Sequence, residues 1–214
     1  MQLFGRDKRA AEILRESWPG AFRVQEPVDD LRREAVLAAD ELVAGGRGRI
    51  DRLFAIIESE PPTLKWDPDV TDLGAGELAF LLRFWLERRQ GDGPPPSRMI
   101  DALDLKPALG FIMLMEPTAD GEDFRYRVYG SRIVEYSKIE MTGKCVWDVP
   151  SPYVAAFFLS TYRAVSIRRQ PLHAFHRSRL DQYYAQWDRL ILPFVDDEGT
   201  VNRLLVGNVP SVRR

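Results

Sequence analysis

The sequence predicts an α+β fold: a five-stranded antiparallel sheet with helices over one face, preceded by an α-helical N-terminal extension. Three observations predict it. Apolar residues recur at helical spacing up to Leu86. Past Leu109 the pattern becomes alternation, with Phe124, Tyr126 and Val128 separated by Arg125, Arg127 and Tyr129. A long apolar helix beginning at Ser151-Pro152 is then followed by three strand-length runs, and joints that short allow only antiparallel neighbours.

The elements follow in order. Asp7 to Ser17 reads as a helix ended by Trp18-Pro19-Gly20. A second helix starts at Asp29-Asp30, whose carboxylates suit a helix N-terminus. It sets Leu31, Ala35, Ala38, Ala39 and Leu42 on one face and stops at Gly45-Gly46. Ile50, Leu53, Phe54 and Ile57 mark a third, short helix. The proline-bearing stretch up to Asp72 reads as a linker. A fourth helix opens after Asp72 or Gly74, with Leu78, Leu81, Leu82, Trp85 and Leu86 in one stripe, and must end before Gly91-Asp92-Gly93-Pro94.

Leu109 to Glu116 and Phe124 to Tyr129 are the first two strands, joined by a turn at Pro117 to Gly121. Ser131 to Lys138 is a short helix, and Thr142-Gly143-Lys144 a turn. Proline suits the first position of the long helix, which ends at Gln170-Pro171. The last three strands run over about Leu172 to Leu180, Tyr184 to Phe194 and Val201 to Val209, with turns at Asp181-Gln182 and Asp196 to Gly199.

Bulk properties limit the function classes. With 30 basic and 32 acidic residues among 214, the net charge of −2 gives no global attraction to nucleic acid or to an anionic membrane. No apolar run approaches the roughly 18 residues of a membrane span, and the first residues lack the apolar core of a signal peptide. The single Cys145 can form no internal disulfide and suits a reducing cytoplasm, the expected location.

Trp85, Arg89, Gly91, Pro96-Ser97-Arg98, Asp101, Leu105, Leu109, Arg127-Val128-Tyr129-Gly130 and Thr142-Gly143 follow one another along the stretch from about Gly76 to Ser211. In these residues that stretch resembles the bacterial stand-alone PAS-domain family, whose members include alphaproteobacterial single-PAS proteins. Ala102 departs from it, since proline usually follows the aspartate in that family. The resemblance implies a division into residues 1–70, a helical extension and linker, and residues 75–212, a PAS-like domain. It also implies a sensor or docking module acting through protein contacts, not an enzyme.

The cofactor chemistries of such a domain find no support. The long helix holds no histidine for haem, and His173 and His176, three apart on a strand, face opposite ways and cannot share a metal. Cys145 lies in Gly143-Lys144-Cys145-Val146-Trp147, outside any flavin-adduct motif, and reads as a structural thiol. No cofactor is expected. Neither a Gly-x-Ser-x-Gly elbow nor a phosphate loop is present.

What remains is a pocket between the sheet and the middle helices. Its expected lining is Phe111, Met113, Phe124, Tyr126, Val128, Phe157, Phe158 and Tyr162, with His176, Trp187 and Leu205. Against it stands the reading that these aromatics simply fill the core. A homodimer is expected through the stripe of Leu78, Leu81, Leu82, Trp85 and Leu86 or through the N-terminal helices, together with a signalling partner. Arg163, Arg168, Arg169, Arg177, Arg179 and Arg189 read as solvated sheet residues in preference to a nucleic-acid surface. Three rivals remain: a metabolite sensor with an occupied cavity, an enzyme on a related curved sheet with His176 as its lone acid–base candidate, and DNA binding by the N-terminal helices.

Overall fold

The computed structural model describes residues 28–89, 91–180 and 183–213. The helix expected from Asp7 to Ser17 and the Asp181-Gln182 turn lie outside the described residues. The chain runs through α1 (Val28–Val43), α2 (Gly48–Ile56), β1 (Thr63–Trp66), α3 (Gly76–Glu87), β2 (Ile112–Pro117), β3 (Phe124–Tyr129), α4 (Ser131–Ser137), α5 (Pro152–Arg168), β4 (Leu172–Leu180), β5 (Tyr183–Val195) and β6 (Val201–Arg213).

The predicted fold class is correct: the protein is α+β around one antiparallel sheet. Its strand order is β1-β4-β5-β6-β2-β3, so the sheet has six strands, not five. Without β1 the order is PAS-like, the β4–β6 meander laid beside the β2–β3 hairpin with β6 against β2. The sixth strand, β1, lies in the stretch read as a linker. Its four residues pair antiparallel with β4, from Thr63 opposite Phe175 to Trp66 opposite Leu172. Prolines flank it, so its strand conformation comes from the partner more than from its own composition. At the other edge, β3 is covered by the Thr142-Gly143 turn, where Tyr126 N donates to Lys144 O at 2.9 Å and Gly143 N to Tyr126 O at 2.7 Å.

Helices cover both faces of the sheet, which corrects the expectation of one covered face. On the face termed outer here, α3 buries Leu78, Leu81, Leu82, Phe84 and Trp85 against Ile112, Leu190, Leu192, Phe194 and Leu205. Gly207 permits this approach. A Cβ there would lie 2.4 Å from Leu78 Cδ2 and 2.6 Å from Leu81 Cδ1. The Trp85 indole N–H donates to the Pro193 carbonyl at 2.7 Å, which satisfies the one polar atom of that ring.

The inner face is covered by α5, and α1 covers α5 in turn. Eleven residues of α5 are buried, around its whole circumference, because it lies between the sheet and another helix. The Ser151 hydroxyl accepts from Val154 N to cap it, and Arg169 ends it with φ +58. Leu31, Ala35, Ala38, Ala39 and Leu42 of α1, with Ile50, Leu53 and Phe54 of α2, share one continuous core with the inner face. Glu41 joins the two helices, its carboxylate accepting from Gly48 N at 3.1 Å and Arg49 N at 2.8 Å at the start of α2.

Candidate functional site

The inner face of the sheet brings most of the expected pocket residues together. Met113, Phe124, Tyr126, Phe157 and Tyr162 are buried in one cluster, with Trp187 in it and Phe158 packed against it. Two members of the expected set lie elsewhere. Leu205 is fully buried on the outer face, under α3, because it alternates with the inward Leu204 and Val206 on β6. Val128 is 39% exposed. The cause is a bulge: Leu114 pairs with Val128 but Met115 pairs with Tyr126, leaving Arg127 unopposed. One extra residue reverses the alternation, so Tyr129 turns inward in place of Val128 and meets Tyr126 edge-on, ring centroids 5.3 Å apart. Phe111 is half-buried in the helical turn before β2.

The α3 stripe is also accounted for. Leu78, Leu81, Leu82 and Trp85 are at most 2% exposed against the chain's own sheet, and only Leu86 reaches the surface, 43% exposed. The chain itself therefore covers four of the five residues expected to meet a second copy.

The two histidines take opposite faces. His173 pairs with the Asp188 carboxylate on the outer face and is largely covered. His176 points inward opposite Trp187, flanked by Phe157 at 5.6 Å and Phe54 at 6.3 Å between ring centroids. Burial pushes its pKa well below the usual histidine value, and the Arg189 charge adds to that depression. The imidazole is neutral at pH 7.

Arg189 is the residue that sequence reading missed, and the expectation that it is solvated is corrected here. It is 3% exposed, on β5 between Trp187 and Ile191, which share its inward direction. Its guanidinium carbon lies 3.8 Å from the centroid of the Phe158 ring. Its Nε and Nη1 donate to no acceptor, and no acidic side chain among the described residues lies within ion-pair distance of it. Directly opposite on β6 is Asn208, also 3% exposed, whose Oδ1 accepts from nothing. Tyr126 and Tyr162 complete the cluster. Desolvation pushes both phenols up, and the Arg189 charge pulls them the other way. Tyr129 behaves alike, raised to about 12. The signal available in sequence was the period of two along Trp187, Arg189 and Ile191, which puts an arginine in an apolar row.

Three of the other expected basic residues have partners, although Arg163 Nε has no acceptor. Arg163 donates to Gly121 O at 3.0 Å, Arg168 stacks on Trp66 and bonds Gln170, and Arg177 pairs with Glu60. Asp123, the buried acid of the described residues, is also satisfied. It accepts from Phe124 N, Val146 N and Trp147 N and so fixes the start of β3 to the turn before α5. Cys145 is half-buried, and burial pushes its thiol up, which disfavours the reactive thiolate. Among the described residues no helix is long and apolar enough to cross a membrane.

Chemically, the inner face offers one uncompensated cation, an amide, phenols and aromatic walls.

No family model matches the chain, and no curated protein matches it. A solved structure of an RNA-binding light-oxygen-voltage receptor matches over 95% of this chain at 12% identity and a TM-score of 0.43. The chain spans 58% of that receptor's length.

Proposed function

We propose that the protein is a non-enzymatic PAS-type regulatory module that senses a small molecule on the inner face of its sheet and answers through protein contacts. The observation that carries this reading is the buried row Arg189–Asn208, set among Tyr126, Tyr162 and His176, with polar atoms that the protein leaves unmatched. A core built only for stability has no use for such a row, because each buried unmatched polar group costs on the order of 1–3 kcal/mol. The walls supply the apolar contact that small-ligand sites use, and the polar groups are few and placed, as such sites require.

The helices give the response its route. Phe157 and Phe158 of α5 and Phe54 of α2 touch the ligand-facing residues or their neighbours, and α1 and α2 lie over α5 toward the surface. A ligand that repositions Phe158 or Tyr162 therefore acts on helices whose far sides are open to a partner or to a second copy of the chain.

Native mass spectrometry of the protein as purified, against the same sample denatured, tests the reading. The expected result is a native mass above the chain mass by one small molecule, lost on denaturation. A bare chain in the native spectrum, unchanged on exposure to cell-extract metabolites, overturns it.

A further inference from the structure

Among the described residues, several other arginines meet carboxylates at or near the surface. Arg47 is forked on Asp51, Arg49 reaches Glu34 at 2.7 Å, Arg88 reaches Asp104 at 2.7 Å, and Arg177 reaches Glu60 at 3.1 Å. Arg189 is the exception. Among the described residues it is the only buried arginine or lysine, and it has two nitrogens without an acceptor. A ring face 3.8 Å away offsets part of the lost hydration, but it accepts no N–H bond. A buried guanidinium is retained at such cost when something negative joins it.

We propose that the inner face is an anion receptor, in which Arg189 takes the carboxylate of a small organic acid and Asn208 takes a hydroxyl or amine donor on the same molecule. The aromatic or apolar body of that acid lies against Phe158, Tyr162 and Trp187. This deepens the sensing reading above and rests on it.

Three features select a carboxylate. One guanidinium neutralises one negative charge, and among the described residues no second buried cation shares the inner face with it, so a phosphate dianion would remain half-compensated. The guanidinium fork matches the two oxygens of a carboxylate in one plane. The acceptor left open on Asn208, the register partner of Arg189, calls for a donor on the ligand close to its acid group. The phenols of Tyr126, Tyr129 and Tyr162 surround the same charge and stay protonated, so the chain offers no internal phenolate to replace the ligand.

The test is thermal unfolding of the dialysed full-length protein with benzoate, phenylacetate and acetate, with benzamide as the neutral match and with inorganic phosphate. The Arg189→Met and Arg189→Lys variants are run alongside. The expected result is a rise of roughly 5–10 °C at about a hundredfold excess over Kd for at least one aromatic carboxylate. Benzamide gives no rise, Arg189→Met abolishes the response while unfolding cooperatively, and Arg189→Lys keeps part of it. Equal rises with benzamide and benzoate overturn the anion receptor and leave the sensing reading standing. A rise with phosphate alone overturns the carboxylate assignment. No rise with any probe overturns the proposal, and if Arg189→Met is then also less stable than the wild type, a carboxylate of the chain itself is the partner of Arg189. A ligand mass in the native spectrum with no carboxylate response separates failure of this inference from failure of the sensing reading.

Discussion

The two faces of one sheet are built to different rules. Under α3 the outer face is an apolar packed layer: Leu78, Leu81, Leu82, Phe84 and Trp85 fill the surface of Leu190, Leu192, Phe194 and Leu205, and the Trp85 indole N–H has a carbonyl partner at 2.7 Å. The inner face is as deeply buried but carries Arg189, His176 and Asn208, each at 3% exposure, with unmatched atoms on Arg189 and Asn208. Adjacent residues of the same strands make the difference, since Leu190 points out where Arg189 points in. One face therefore supplies stability, and the other gives up some of it for polar groups that the described residues leave unmatched.

The largest effect expected is on the outer face. Leu81→Ala removes a fully buried side chain from a packed layer with no polar slack, and should cost about 2–5 kcal/mol in urea unfolding. A cost below about 1 kcal/mol would mean that α3 rides loosely on the sheet and that the contrast between the faces is false. The opposite sign is expected across the sheet. Arg189→Met removes an uncompensated buried charge while keeping an apolar stem, and should raise the stability of the ligand-free protein by about 1–4 kcal/mol in the same assay. A loss of stability would show that the guanidinium has an anionic partner in the chain.

A smaller effect isolates the hydrogen bond that ties α3 to the sheet. Trp85→Phe keeps the aromatic packing but leaves the Pro193 carbonyl without its donor, and should cost about 1–3 kcal/mol. If that variant equals the wild type, the tryptophan serves the outer face by volume alone.

The fold was legible in sequence where local pattern and final environment agree. The β2–β6 strands, the α3 stripe and the proline-started α5 follow from periodicity and punctuation that the tertiary structure does not override. It was illegible where one distant contact decides. Thr63 to Trp66 becomes a strand only by lying along β4. The bulge at Arg127 exchanges Val128 for Tyr129 with no mark in an otherwise regular alternation. The N-terminal helices showed their apolar faces, yet nothing in them announced that Phe54 would stand against Phe157 and His176. For the site, the aromatic walls were readable because large apolar side chains at inward positions have few other fates. Arg189 was not, because arginine on a strand is most often solvated, and only its place between Trp187 and Ile191 marks it as inward.

The smallest expected effect is a matter of pH and tests whether the polar character of the inner face is electrostatically one unit. His176 has a folded-state pKa well below its unfolded value of about 6.5, from burial first and the Arg189 charge second. Below that pH the unfolded chain takes up a proton that the folded protein refuses, so stability falls as pH falls below about 6.5 and is level above it. His176→Gln should remove this part of the acid sensitivity. The stability difference between variant and wild type then changes by no more than about 1.4 kcal/mol per pH unit, the slope for one proton. In the Arg189→Met background the histidine regains some basicity, and the decline of stability with acid becomes shallower. If the decline is the same with and without Arg189, burial alone sets the histidine, and the two groups do not act on each other across the β4–β5 pair. If it is shallower, a ligand anion seated on Arg189 will also raise the histidine pKa, and acid will strengthen binding only where the bound protein takes up that proton.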